Sequence, residues 1–371
     1  MSGAGGVRRP AWERVPLLVL GFVALFTGIG AGLARLGWPM PEAAATAAAL
    51  HGPLMVCGFF GVVISLERAV AIGRPWAYLA PLLAGIGTGA ALHGLGAATP
   101  WFYLAASSVL LVASLLLLRR QPELFMAIIA LASGCWTVGA ALWAAGAAVS
   151  ALLGWWIAFL VLTIAGERLE LSRFMPPSRT GQRVFVGVTV TLLRALLAWA
   201  QPWGPRLFGA ALLALAAWLL RYDIARRTVR QAGLTRFIAV CLLSGYFWLA
   251  VGGAIMLARP LAPSGGAYDA ALHALLLGFV FALVFGHAPI IFPAVLRVAV
   301  PYHPVFYAHL VLLHASLLLR LGGDAAGNPA WTRWGALLSA LALIGFILNT
   351  VLAVLRGARG AARQRATSTT R

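Results

Sequence analysis

The stretch His273–Pro293 reads HALLLGFVFALVFGHAPIIFP. Thirteen residues without a charge separate its two histidines. Runs of roughly 20 apolar residues span a bilayer, and the rest of the chain repeats this theme. Of 371 residues, 62% are hydrophobic and only 10% are charged. This composition excludes a soluble globular protein and predicts an all-α, polytopic membrane bundle forming a single integral membrane domain. Twelve spans are expected, near 15–36, 44–66, 75–97, 101–118, 124–146, 148–166, 184–200, 205–221, 236–257, 267–296, 303–320 and 332–355. The first run reaches full spanning length, so it is read as a retained helix and not as a cleaved signal.

The basic charge has a topological reading. The net charge of +19 comes from arginine, with no lysine in the chain. Arg8, Arg9 and Arg14 precede the first span, and Arg119 and Arg120 follow the fourth. Arg221, Arg226, Arg227, Arg230 and Arg236 lie between the eighth and ninth, and Arg356, Arg359, Arg363 and Arg365 lie in the tail. All fall on one side of a twelve-span chain. The opposite loops carry only Arg35, Arg206, Arg259, Arg320 and Arg333. This is the positive-inside pattern, and it predicts a multi-pass protein of a bacterial-type inner membrane with both termini cytoplasmic. The arginines therefore encode orientation and contact with anionic lipid, not nucleic-acid binding. Cys57, Cys135 and Cys241 lie in separate spans without paired spacing and read as small buried hydrophobes.

The second span of each successive group of four ends alike. GFFGVVISLER runs from Gly58, AFLVLTIAGER from Ala158 and GFVFALVFGHA from Gly278. Each begins with a small residue and phenylalanine, and nine positions later stand Glu67, Glu167 and His287. The chain thus divides into three four-helix pseudo-repeats, about 15–118, 124–221 and 236–355. Spans 2, 6 and 10 are expected in equivalent inner positions, with Gly58, Ala158 and Gly278 at close helix contacts.

Ionisable groups in hydrocarbon are expensive and mark functional positions. His273 and His287 are fourteen residues apart, about 21 Å along an α-helix and within about 40° of one face. They are expected in one seam at two depths, with a kink at Pro289. Imidazole is a good axial ligand to heme iron, which usually needs a second ligand from another helix. His51 enters span 2 about as deeply as His273 enters span 10, so a heme between them, ligated by both, is geometrically allowed. The alternative is a hydrogen bond from each histidine to a neighbouring helix. His314 lies deep enough in span 11 to face His287, where the two could hold copper or another second metal. Glu67, Glu167 and His287 form an inner polar layer. Glu67–Arg68 and Glu167–Arg168 are read chiefly as anchors, each residue pairing with another segment because adjacent residues diverge on a helix. Arg194, inside VGVTVTLLRALLAWA, must snorkel, meet an acid or hold an anion such as a heme propionate.

Residues 271–293, ALHALLLGFVFALVFGHAPIIFP, resemble the tenth helix of heme-copper oxidase subunit I, closest to the cbb-type oxidase and nitric oxide reductase branch. His273 falls on the second histidine of that family's H-x-H, Gly278–Phe279 on its glycine–aromatic pair, Phe285–Gly286 on its F-G, and Pro293 on its proline. HGPLMVCGFF, from His51, is similar to the family's second helix, which supplies a low-spin heme ligand. The resemblance implies twelve spans in three groups of four and a low-spin, bis-histidine heme. Two departures matter. Ala271 replaces the histidine that would hold the active-site heme, and spans 6 and 7 contain no histidine for copper. The length and layout are also similar to NnrS-type proteins of nitric oxide stress, without that group's full histidine set. The chain contains no C-x-x-C-H, so a b-type heme is expected over a covalent c-type one.

Three functions remain open on the sequence. The first is a heme-bearing membrane protein acting in electron transfer, nitric oxide response or sensing, with a redox partner or a small gas as ligand. The second is a cofactor-free transporter whose path is lined by Arg194, Glu67, Glu167 and His287. The third is an assembly subunit of a respiratory complex. Enzymatic activity is not assigned.

Overall fold

A computed structural model describes residues 11–172, 177–263 and 265–369, with side chains through residue 359. Arg8 and Arg9, and the side chains of Arg363 and Arg365, lie outside the described residues. The protein is an all-α polytopic bundle, with no strand among the described residues. Twelve long helices follow one another: α1 (Val15–Arg35), α2 (Ala48–Ile72), α3 (Leu79–Leu92), α4 (Thr99–Arg120), α5 (Leu124–Ala144) and α6 (Val149–Leu171). The second half holds α7 (Arg179–Leu197), α8 (Gly204–Tyr222), α9 (Gly233–Ala258), α10 (Gly266–Leu296), α11 (Phe306–Ala326) and α12 (Pro329–Thr369).

Ten of these are long and apolar enough to cross a membrane, against twelve spans expected. The two exceptions have simple causes. At 14 residues α3 is about 21 Å long, short of a hydrocarbon core of about 30 Å. Arg179, Arg183 and Arg194 lower the hydropathy of α7. Bulky side chains such as Phe26, Leu116, Val190, Phe247, Val311 and Leu348 stand exposed on the outside of the bundle, where lipid covers them.

The interior belongs to the second helix of each group of four. In α2, α6 and α10, 67%, 72% and 67% of the apolar stretch is buried, whereas the other seven spans range from 33% to 61%. Small residues permit this depth. A Cβ on Gly58 would lie 2.7 Å from the Ala24 Cβ of α1, and one on Gly278 would collide with Trp248 of α9. Ala158 is wholly buried. Around these three helices the contacts repeat: α4 packs along α5, and α8 packs along α9. The remaining seam is looser, with α12 meeting α1 chiefly where Trp38 stacks edge-on to Trp334 at 5.1 Å and Arg333 covers the Trp38 ring at 4.4 Å.

Both α2 and α10 break the α-helical repeat just after their first histidine. Leu54–Phe60 and Ala274–Phe281 are π-helical. Bonds from i to i+5 widen the turn, and such segments are frequent at functional sites. The two helices run parallel: His51 faces His273, and eight residues later Phe59 stacks on Phe281 at 5.8 Å and 5°. Pro289 and Pro293 sit inside α10, which ends at Arg297 in the left-handed region (φ 57°).

Candidate functional site

The site begins with His51. Two glycines one turn apart on α1 receive its ring. The Gly28 carbonyl accepts a hydrogen bond from Nδ1 at 2.7 Å, and a Cβ on Gly32 would lie 2.8 Å from Nδ1. A carbonyl can only accept, so the proton sits on Nδ1 and Nε2 keeps its lone pair. His273 repeats the arrangement within its own helix, with Nδ1 2.8 Å from the Asp269 carbonyl. In the neutral ring this leaves the lone pair on Nε2. The two ring centres are 6.3 Å apart, with planes inclined by 16°.

That separation is too long for face-to-face van der Waals contact and is close to the span of two imidazoles on one metal ion. An imidazole–metal–imidazole arrangement has metal–nitrogen bonds of about 2.0 Å and ring centres roughly 1.1 Å farther out, so its ring centres stand about 6 Å apart. The donor chemistry agrees, since ligating histidines almost always donate their other N–H to a carbonyl or carboxylate. Two neutral imidazoles on different helices, each with one committed and one free nitrogen, fit the axial ligand set of a low-spin heme.

Asp269 extends the site. Its Oδ1 lies 3.3 Å from His273 Nδ1. Arg320 of α11 grips the same carboxylate with two bonds, Nε to Oδ2 at 2.7 Å and a terminal NH2 to Oδ1 at 2.9 Å. Arg320, expected in a loop, is in fact 7% exposed within α11, because the helix continues to Ala326. Sequence reading missed this pair, although an acid in α10 and a base in α11 are both ionisable groups within spans.

The other expected site residues go elsewhere. Arg194 is exposed on α7, on the outward stripe that includes Gln182, Val186 and Val190. There the aliphatic stem can snorkel along the bundle surface. Eight π-helical residues lie between His273 and His287. The π-helical turns between them advance each residue by less than the 100° of an α-helix, and His287 comes within electrostatic reach of Arg168 on α6. Its Nδ1 donates to the Leu283 carbonyl at 2.6 Å, while its buried Nε2 has no hydrogen-bond partner. The expected bonds from His287 to Glu67, Glu167 or His314 are not formed.

His314 is turned to α9. Trp248 Nε1 donates to its Nδ1 at 2.9 Å. Tryptophan only donates, so the His314 proton is on Nε2 and neither nitrogen is free for a metal. The expected metal pair of His287 and His314 is not assembled. Among the described residues, no group of three or more His, Cys, Asp or Glu side chains is placed to hold a metal ion.

At the far ends of the inner helices, charges join successive groups. Arg68 of α2 lies 3.8 Å from Glu167 of α6, and Glu67 stands in the field of Arg68. Arg168, 5% exposed, lies 3.9 Å from Asp223, whose Oδ2 also accepts from the Tyr246 hydroxyl at 2.7 Å. Asp223 and Tyr246 were not singled out from the sequence. Asp223 reads there as a loop residue, and nothing in its spacing marks a partner on α6.

The match to known families is now informative. A family defined on related sequences covers residues 14–355, that is, every span of the bundle. The chain belongs to the family described as Domain of unknown function (DUF8744). No curated protein and no solved structure matches it. The DUF8744 match takes in both helices of the histidine pair, α2 and α10, and both members of each ion pair described above.

Proposed function

We propose that this protein is a heme-binding integral membrane protein, with His51 and His273 as the two axial ligands of one low-spin, b-type heme. A single observation carries the reading. Two imidazoles on separate inner helices stand 6.3 Å apart, nearly parallel, each with Nδ1 bound to a carbonyl and Nε2 free. The resemblance of α10 and α2 to the oxidase helices points the same way, as does the loss at Ala271 of the second heme ligand. With the termini cytoplasmic, this pair lies in the outer half of a bacterial-type inner membrane.

Such a heme supplies a one-electron couple. The protein's part is to fix both ligands, keep water away and set the potential. Electron transfer to or from a redox partner is favoured over gas sensing, because two histidines occupy both axial positions and leave none for nitric oxide. A spectrum of the purified protein tests this. The reduced-minus-oxidised difference should show sharp Soret and α bands, and pyridine extraction should return heme b at one per chain. Purification without heme from a heme-supplied host would overturn the proposal and favour a cofactor-free transporter.

A further inference from the structure

His51 and His273 are not equal. His51 Nδ1 donates to a neutral carbonyl of a neighbouring helix, whereas His273 Nδ1 donates to its own helix's carbonyl at 2.8 Å with a carboxylate oxygen standing 3.3 Å away. The carboxylate is held by design of three helices. Asp269 stands one turn before His273 on α10, so the two side chains share a face. Arg320 approaches from α11 as a two-pronged donor, a geometry that fixes direction as well as charge. Gly335 of α12 lets α11 come close at this level, since a Cβ there would lie 2.6 Å from the Arg320 backbone nitrogen. An ion pair results, with its negative member against the imidazole and the Asp324 carboxyl of α11 beside it.

We infer that Asp269, oriented by Arg320, is a positioning residue that polarises His273 and makes it the stronger electron donor of the two histidines. A carboxylate beside Nδ1–H pulls the proton and raises electron density at Nε2, as partners of metal-bound histidines do. Towards a heme, this stabilises the oxidised state and lowers the midpoint potential. The redox consequence rests on the bis-histidine reading; the polarisation of His273 does not.

The full-length protein with Asp269→Asn or Arg320→Gln supplies the test, with two readouts. Solid-state 15N NMR of histidine-labelled protein reports the Nδ1–H of His273, assigned by its loss in His273→Ala, whether or not heme is bound. A redox titration reports the heme. With Asp269→Asn, the His273 Nδ1 resonance should move towards that of a neutral hydrogen bond while His51 stays in place. At a fixed applied potential, the ferric-to-ferrous ratio should fall about tenfold, or about 59 mV for a one-electron couple. Arg320→Gln frees the carboxylate to turn to the ring and should shift both readouts the opposite way. It decides the matter alone if Asp269→Asn does not accumulate. An unmoved His273 resonance, or equal shifts at His51 and His273, overturns the inference. A wild-type protein without heme would sink the heme reading, with the NMR arm still deciding whether Asp269 polarises His273.

Discussion

The two ends of the inner helices hold polar groups in opposite ways. Where α2 and α10 begin, His51 and His273 commit one nitrogen each to a carbonyl, with their ring centres 6.3 Å apart. Where α2 and α6 end, the charges answer one another: Arg68 meets Glu167, and Arg168 meets Asp223, which also takes the Tyr246 hydroxyl. The first end pairs two imidazoles from different helices. The second sets opposite charges against one another and joins one group of four helices to the next. Burial of polar groups alone does not mark a binding site in a membrane protein; leftover coordination capacity does. His287 lies between the cases, with a free Nε2 and no second ligand beside it.

The comparison breaks most sharply at the histidines. Replacing either His51 or His273 by alanine should abolish the low-spin spectrum, because six-coordination needs both. Replacing His287 should leave that spectrum and the heme content unchanged. If His287→Ala removed the heme while His51→Ala kept it, the roles assigned to the two ends would be reversed.

Next in size is the buried ion pair. Arg168 and Asp223 side chains are only 5% and 3% exposed. Breaking such a pair from one side strands a charge and costs ~3–5 kcal/mol. The separation of 3.9 Å places Arg168→Met at the lower end, about 3 kcal/mol. Thermal unfolding in detergent should show the loss, and the double replacement with Asp223→Asn, which removes the stranded charge and still accepts a hydrogen bond, should recover part of it. An additive double mutant would mean that the two residues do not interact.

Much of this contrast was legible in the sequence. Ten of the twelve expected spans are helices long and apolar enough to cross a membrane, and equal depth brought His51 and His273 together without any knowledge of packing. The adjacency of Glu67–Arg68 and Glu167–Arg168 implied partners on other segments, and Arg68 and Glu167 have found each other. What escaped depends on backbone geometry or on long separations. Nothing in LMVCGFF or ALLLGFVF encodes an i to i+5 bond, so an α-helical register does not carry across either segment. Arg320 and Asp269 are 51 residues apart, and Arg320 read as a loop residue only because span 11 was ended six residues early.

A smaller effect probes the interior packing. The space beside Gly278 is filled by Trp248. Gly278→Ala forces α9 and α10 apart and should cost about 1–3 kcal/mol as overpacking. The strain would fall five residues beyond His273, so the heme bands should broaden before they are lost. An unchanged melting temperature would show that α9 does not press on α10 at this level.

The smallest expected effect belongs to Arg194, and it sharpens the comparison because the sequence pointed to it strongly. A charge in the middle of an apolar run demands a reason, and an anionic heme edge would have supplied one. The fold supplies another. Gln182, Val186, Val190 and Arg194 recur every fourth residue on the outward face of α7, with Leu197 exposed one turn on. So near the helix end, the aliphatic stem can lie along the bundle while the guanidinium reaches the headgroups. Arg194→Gln should therefore leave heme content, band positions and midpoint potential as in the wild type, with a change in melting temperature too small to measure. In contrast, Arg320→Gln should move the potential, because Arg320 is the arginine that the structure joins to His273 through Asp269. If Arg194→Gln shifted the potential and Arg320→Gln did not, the heme edge would have to lie against α7, and the pairing of His51 with His273 across α2 and α10 could not be the ligand set.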